Sequence, residues 1–225
     1  MMENYSAILP VHNGANYISQ ALESILEQSF LPAEIILVDD HSEDATIAIA
    51  RSVFPEIRIL HTSTRGQSAG LNVGVAAATS EFVAFLDHDD MWDKEKSKLQ
   101  YEILKSNPDY SAIYSQVVNF TGDSNVAEQR INMGSARVLA AAFFRKSFFN
   151  EVGIFDESLT HHAIVDWWLR SERAGMKVLE DNHIALYRRI HESNSGVVHK
   201  DAARSALFSI LRNEIHRDPT GDTNG

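Results

Sequence analysis

The stretch EFVAFLDHDDMWD, Glu81 to Asp93, runs five apolar residues, Phe82-Val83-Ala84-Phe85-Leu86, straight into Asp87, His88, Asp89 and Asp90. A segment that is apolar at every position reads as a strand covered on both faces. Carboxylates this close raise one another's energy unless a cation or strong donors stand opposite. A buried strand that ends in three acids therefore predicts something positive at that end.

Toward the N-terminus the same unit recurs. Ser6 to Leu9 is a strand that stops at Pro10, and Ile18, Leu22, Ile25 and Leu26 give helical spacing from Tyr17 to Gln28. EIILVDD (34–40) is a second apolar strand, with Ser42 as cap for a helix from about Asp44 to Arg51. IRIL (57–60) repeats the strand and GQSAGLNVGVAAA (66–78) the helix. The order βαβαβαβ predicts an α/β fold with a mostly parallel central sheet and helices on both faces. In such sheets ligands bind beyond the carboxyl ends of the strands, where these acids lie.

Toward the C-terminus, KEKSKLQYEILKSNP (94–108) reads as a surface helix ended before Pro108. SAIYSQVVNF (111–120) is a strand, and the polar TGDSNVAEQRINMG (121–134) a loop. FFRKSFFNEVG (143–153) and DWWLRSERAG (166–175) read as helices, each ending at a glycine suited to a left-handed cap, so a smaller α+β region follows the core. Leu207, Ile210, Leu211 and Ile215 give helical spacing from about Asp201 to His216, and 217–225 should fray. With no repeat or linker, residues 1–216 form a single domain.

The composition bounds the function. The chain has 225 residues, 44% of them hydrophobic, enough for one globular core. Its 31 acids against 20 Lys and Arg give a net charge of −11, which argues against nucleic acid or an anionic membrane as the main partner. An acidic protein that binds a phosphate ligand would want a metal between them. There is no cysteine, so disulfides, thiolate metal sites and a Cys nucleophile are excluded. The segment MMENYSAILPV lacks the features of a signal peptide, and no run reaches the roughly 20 apolar residues of a spanning helix. The expectation is a soluble, cytoplasmic protein with no transmembrane segment. The amphipathic C-terminal segment leaves packing on the core, on a second subunit in a homodimer, or peripherally on the inner membrane face as open alternatives.

Three constellations could carry chemistry. Carboxylates of Asp87-x-Asp89-Asp90 are hard ligands suited to Mg2+ or Mn2+, which bind through one or two carboxylates together with substrate phosphates. The structural alternative is that Asp89 or Asp90 caps a following helix. Asp39-Asp40, before His41-Ser42, could accept hydrogen bonds from a nucleobase or ribose, or cap the next helix. In PVHNGANYI (10–18), Asn13-Gly14 makes a tight turn whose backbone N–H groups could face a ligand, or which simply connects strand to helix. His12 could stack on a base or sit in the loop.

The segments SAILPVHNGANYISQALESILEQSF, EIILVDDHSEDAT, TRGQSAGLNVGVAAATSEFVAFLDHDD and VGIFDES together resemble family 2 glycosyltransferases with the Rossmann-like GT-A fold. The resemblance runs from about Tyr5 to about Ser195. It implies a nucleotide-sugar-binding half over about 5–120 and an acceptor-side half over about 121–200. It further implies inverting transfer of a sugar, with a UDP-sugar as the expected donor, to a glycan, lipid-linked or small-molecule acceptor. Mn2+ or Mg2+ is expected at Asp87 and Asp89, with Asp89 the direct ligand. Pro10, His12 and Asp40 fall at the nucleotide, with Asn13 and His88 in the same binding set and Arg65 near the base or diphosphate. In the late loop YRRIHESNSG (187–196), His191 fits a ligand to metal or diphosphate. Arg188 and Arg189 could neutralise phosphate there, or be solvated strand residues.

The sequence also departs from that family. Inverting transfer needs a base for the acceptor hydroxyl, normally an aspartate in an acidic pair shortly before a DLWLR-like helix. This chain reads HHAIVDWWLR, with Ala163-Ile164 where the pair should be. Asp166 is the first substitute, with its alternative role a helix-dipole partner, and His161 and His162 follow, since neutral imidazole is a competent base. Trp167 is read as an acceptor platform and Trp168 as core. An Arg common before Asn72 is replaced by Leu71. His61, His183 and His199 are taken as structural. Two rival readings are a donor-binding domain of the same fold without catalysis, and a phosphoacceptor receiver domain, whose ILVDDH is shared but whose later Lys-Pro is absent.

Overall fold

The computed structural model describes residues 4–122, 130–134, 138–159 and 162–191. Every position of strand β1 (Tyr5–Val11) is buried, and its side chains divide by alternation. Tyr5, Ala7, Leu9 and Val11 enter one apolar cluster and Ile8 the other, so both faces of the sheet are covered. β2 (Glu34–Asp39) does the same, with Ile35 and Leu37 on one side and Ile36 and Val38 on the other. β3 (Arg58–His61) pairs with β2, and β4 (Phe82–Phe85) with β1, all in parallel. β1 does not stop at Pro10. Its register with β4 ends at Ile8↔Phe85, and the N–H that proline lacks faces the side β4 has left.

Helices α1 (Ile18–Leu26) and α2 (Thr46–Val53) cover one face, and α3 (Gln67–Ala77) the other. α2 starts later than the sequence suggests, and Ser42 is not its cap. The Thr46 N–H donates to Asp44 Oδ1 at 2.9 Å, while Ser42 Oγ accepts from Asn13 N.

The second half extends the sheet. It comprises β5 (Met91–Trp92), α4 (Lys96–Ser106), β6 (Ala112–Phe120), β7 (Arg130–Gly134), β8 (Ala142–Arg145), α5 (Ser147–Val152), α6 (Ala163–Arg173) and β9 (Val178–Arg189). Among the described residues the sheet has nine strands, in the order β3-β2-β1-β4-β8-β6-β9-β5, with β7 on β6. The parallel block β3-β2-β1-β4 joins the rest through antiparallel β8, and β9 returns parallel to β6.

Several expectations fall here. FFRKSFFNEVG is not one helix: Phe143 and Phe144 face opposite clusters as part of β8, and only Ser147–Val152 coil, ending at Gly153 with φ +86°. A short aromatic run fits either period, so spacing alone could not separate them. The end of the expected loop 121–134 is β7, and an edge strand need not look apolar. α4 is more than a surface helix, because Lys96, Ser97 and Gln100 are fully buried. Lys96 Nζ donates to Gln100 Oε1 and the Ala142 carbonyl and lies 4.5 Å from the Trp92 ring centre. Burial drives its amine well below the usual lysine range. Trp167 is no platform: it is fully buried among Phe144, Phe148, Phe149 and Phe155, with Nε1 donating to the Gly153 carbonyl. Trp168 is in the core as expected. The expected helix from about Asp201 to His216, the 217–225 tail, His161 and His199 lie outside the described residues.

Among the described residues no helix is long and apolar enough to cross a membrane. α3 meets β1 through Gly74, where a Cβ would stand 2.2 Å from Ile8 Cγ2. Gly74→Ala should therefore lower stability by about 1–3 kcal/mol through overpacking, read as a fall in Tm, whereas Gly175→Ala, with open space at its Cβ, tests only the backbone cost.

Candidate functional site

The loops after β1, β2 and β4 gather at the carboxyl edge of the parallel block and are stitched together by their own polar groups. His12 Nδ1 lies 2.7 Å from the Asp40 carbonyl, so it must carry the proton, and Nε2 accepts from the Asn13 side-chain amide at 3.2 Å. Asn13, at φ +51°, donates its N–H to Ser42 Oγ and accepts the Glu43 N–H. The next two N–H groups go to Thr46 Oγ1 and Asp44 Oδ2. These backbone donors are thus committed to the second loop and do not face a ligand. Gly14 is required here, since a Cβ would come 2.7 Å from both His88 Cδ2 and Val11 Cγ2.

In the second loop Asp39 is buried, bonding the Ser42 N–H and His61. Asp40 accepts from the Gly66 N–H at 2.8 Å and the Thr62 hydroxyl at 2.9 Å. Burial raises its carboxyl, but the bonds from Gly66, Thr62 and His41 hold it below the ordinary carboxylate value.

In the acidic loop no helix follows at once, so neither Asp89 nor Asp90 is a helix cap; β5 intervenes. Asp90 is buried, and its Oδ1 accepts the Arg189 N–H at 2.9 Å. Burial and the charges of Asp87 and Asp89 push it well above the usual range. Burial and Asp89 push Asp87 up to about 6, against the opposing pull of Arg188 and a 3.4 Å contact from Gln67 Nε2. His191 Nε2 meets Asp89 Oδ2 at 2.9 Å. His88 is driven down by burial, with the neighbouring imidazoles acting the same way against Asp89.

Arg189 is not a solvated strand residue. It is 1% exposed, with Nε on the Asp89 carbonyl at 3.0 Å and its Nη atoms on the Gly122 carbonyl and Gln20 Oε1. Its guanidinium stands 4.8 Å from the Tyr17 ring centre and 4.6 Å from that of Phe120. A β9 residue thus holds the acidic loop from behind.

These groups surround a cavity of about 500 Å³ lined by Pro10, Val11, His12, Asn13, Asn16, Tyr17, Asp40, Gly66, Gln67, Gly70, Asp87, His88, Asp89, Asp90, Arg188 and His191. Ten of the sequence candidates, Pro10, His12, Asn13, Asp40, Asp87, His88, Asp89, Asp90, Arg188 and His191, converge there. Arg65, Asp166 and His162 do not line it. Arg65 is exposed, 3.7 Å from Glu43. Asp166 accepts from Arg170 Nε at 2.8 Å, and the same guanidinium holds the Val152 and Ile154 carbonyls across the end of α5. His162 is half-buried, with φ +62°, where α6 begins. Sequence reasoning missed Tyr17 and Gln67, which look like helix-starting residues and carry no motif signal.

The chain matches the model of glycosyl transferase family 2 over residues 6–173. An uncharacterized glycosyltransferase of Rickettsia bellii is 31% identical over 92% of this chain and 33% of its own length. Another, of Rickettsia typhi, is 28% identical over 84% of this chain and 65% of its own. This chain therefore spans from a third to just under two thirds of the length of these relatives. Among solved structures, S. aureus TarS in complex with UDP-GlcNAc superimposes with TM-score 0.72 at 20% identity, covering 96% of this chain and 67% of that one. Glucosyl-3-phosphoglycerate synthase from Mycobacterium tuberculosis, in complex with Mn2+, UDP and phosphoglyceric acid, gives 0.70 at 16% identity, covering 98% and 81%. The fold is thus of the GT-A type, and the chain belongs to glycosyl transferase family 2. The receiver-domain reading is overturned by that match.

A carboxyl raised in the folded state loses stability as pH climbs above its unfolded value, here 3.8. Asp90→Asn keeps the acceptor for Arg189 N–H and removes the repulsion. In EDTA it should raise stability at pH 7 by on the order of 1–2 kcal/mol and flatten the decline between pH 4 and 7, read by urea denaturation across pH.

Proposed function

We propose that this domain transfers a sugar from a nucleotide-sugar donor, a UDP-sugar, to a hydroxyl acceptor with inversion, assisted by a divalent cation. The observation that carries this reading is the grouping of Asp87, Asp89 and His191 with Asp40 around one cavity at the strand ends. The solved relatives named above, crystallised with UDP-GlcNAc or with Mn2+ and UDP, support it.

The residues present fit Mn2+ or Mg2+. The donors are hard, carboxylate oxygens with one imidazole, and the mutual repulsion that raises Asp87 is what a dication would cancel. Among the described residues no three such ligands are preassembled, and these ions complete their shell from substrate phosphate and water. Asp89 and His191 would hold the ion, with Asp87 beside them; when bound it would supply positive charge to the departing diphosphate. The chain's own residues do the rest. Arg188 places a second positive charge at the cavity, where Leu71 offers none. Asp40, kept ionised by its donors, supplies acceptor lone pairs toward the nucleotide. Gly70 lets the backbone come close: a Cβ there would lie 3.1 Å from that of Pro10.

For the acceptor proton we assign the role to His162 by its place immediately before α6; neither it nor Asp166, which accepts from Arg170, lines the donor cavity. It directly precedes Ala163-Ile164, where the resemblance places the acidic pair, and its left-handed backbone is the kind of strain found at functional sites. His162→Asn, which tolerates that backbone, should reduce kcat by about 100-fold with little change in donor KM; Asp166→Asn should lower mainly Tm. A near-normal rate in His162→Asn removes the assignment.

Thermal-shift assays with UDP-sugars, with and without Mn2+, test the donor site. Wild type should be stabilised by both together, by about 2–3 kcal/mol at 100 times Kd, and Asp89→Asn should lose that effect while remaining folded. Ala163-Ile164 favours a second reading, donor binding without transfer. Under it, wild type shows the shift but releases no UDP with any acceptor.

A further inference from the structure

We propose that Tyr17 is a positioning residue that holds His191 against Asp89, so that the start of α1 sets the geometry of the cation site. This deepens the functional reading above and rests on it. Tyr17 is fixed before it reaches the cavity: its N–H donates to the Gly14 carbonyl at 3.0 Å and its own carbonyl accepts from Ala21 at 3.2 Å. Its ring stacks on the His191 ring with centres 5.2 Å apart and planes 29° from parallel. The Arg189 guanidinium packs on the same tyrosine at 4.8 Å, within cation–π range.

These contacts close a circuit. Arg189 Nε donates to the Asp89 carbonyl at 3.0 Å, and His191 Nε2 meets the Asp89 carboxylate at 2.9 Å. Gln20, one turn after Tyr17 on the same side of α1, accepts from Arg189 as well. The imidazole is thus trapped between an aromatic ring and a carboxylate, and both supports are tied to one buried guanidinium. A histidine two residues past the end of β9 would otherwise sample several rotamers, most of them unable to ligate. Groups that orient a metal-binding histidine usually matter 10–100-fold for affinity.

The test is a double-mutant cycle on Mn2+ affinity, measured by calorimetry in the presence of UDP. Tyr17→Leu should weaken Mn2+ about tenfold in the wild-type background, Tyr17→Phe should keep it, and Tyr17→Leu should cost less than about twofold in the His191→Gln background. Equal losses in both backgrounds, or none in wild type, overturn the proposal. A second readout needs no metal. In the ligand-free protein the His191 ring protons should resonate upfield in wild type and Tyr17→Phe, and move to ordinary positions in Tyr17→Leu; unchanged positions overturn it too. Wild type that binds neither Mn2+ nor UDP would instead remove the functional reading, and with it any role of Tyr17 toward a cation.

Discussion

The repulsion among Asp87, Asp89 and Asp90 is the constraint around which this end of the molecule is organised. Three carboxylates on four residues at the end of a buried strand are unstable neighbours, and burial raises two of them well above their ordinary values. The fold tolerates them by spending one wholly buried arginine on the loop. Arg189 binds the Asp89 carbonyl, lends its backbone N–H to Asp90 and bonds to α1 through Gln20. Its guanidinium remains close to the acids, and the carboxylates of Asp87 and Asp89 line the cavity, Asp89 bonded to His191.

The rest of the site follows from the same economy of donors. The first two loops satisfy each other, His12 with Asp40, Asn13 with Ser42 and Glu43, Gly14 with Thr46. That leaves a rigid wall with few uncommitted backbone groups, and recognition falls to side chains. The region around α5 and α6 is built differently: Trp167 and four phenylalanines form a solid aromatic core, and Asp166 and Arg170 brace the end of α5. Ala163-Ile164, where the acidic pair was expected, open α6 instead.

Much of the parallel half was legible in the chain. Apolar runs such as EIILV and FVAFL are diagnostic because strands covered on both faces have no polar side to show, and the acids at their ends mark the loop edge. The candidate site residues converge for that reason: apart from Pro10 within β1 and Arg188 within β9, each stands a few positions past a strand end. The errors cluster where local pattern is ambiguous. Phe143-Phe144 satisfies both helix and strand spacing, Ser42 is a good cap residue that a closer partner claims, and Arg189 looks solvated because charge on a strand usually is.

The sequence by itself determined the alternation of strands and helices, the family, and which loops carry acids, because hydrophobic period and short motifs are local properties of the chain. Only the tertiary structure decided that Arg189 is a buried post, that Tyr17 meets His191, that Trp167 is core and that Asp166 is engaged elsewhere. The contacts of Arg189 with Gln20 and of Tyr17 with His191 join opposite ends of the chain, and no local pattern encodes which partner a side chain meets when a strand such as β9 is laid back across the sheet; Asp166 pairs within its own helix, with Arg170 one turn on.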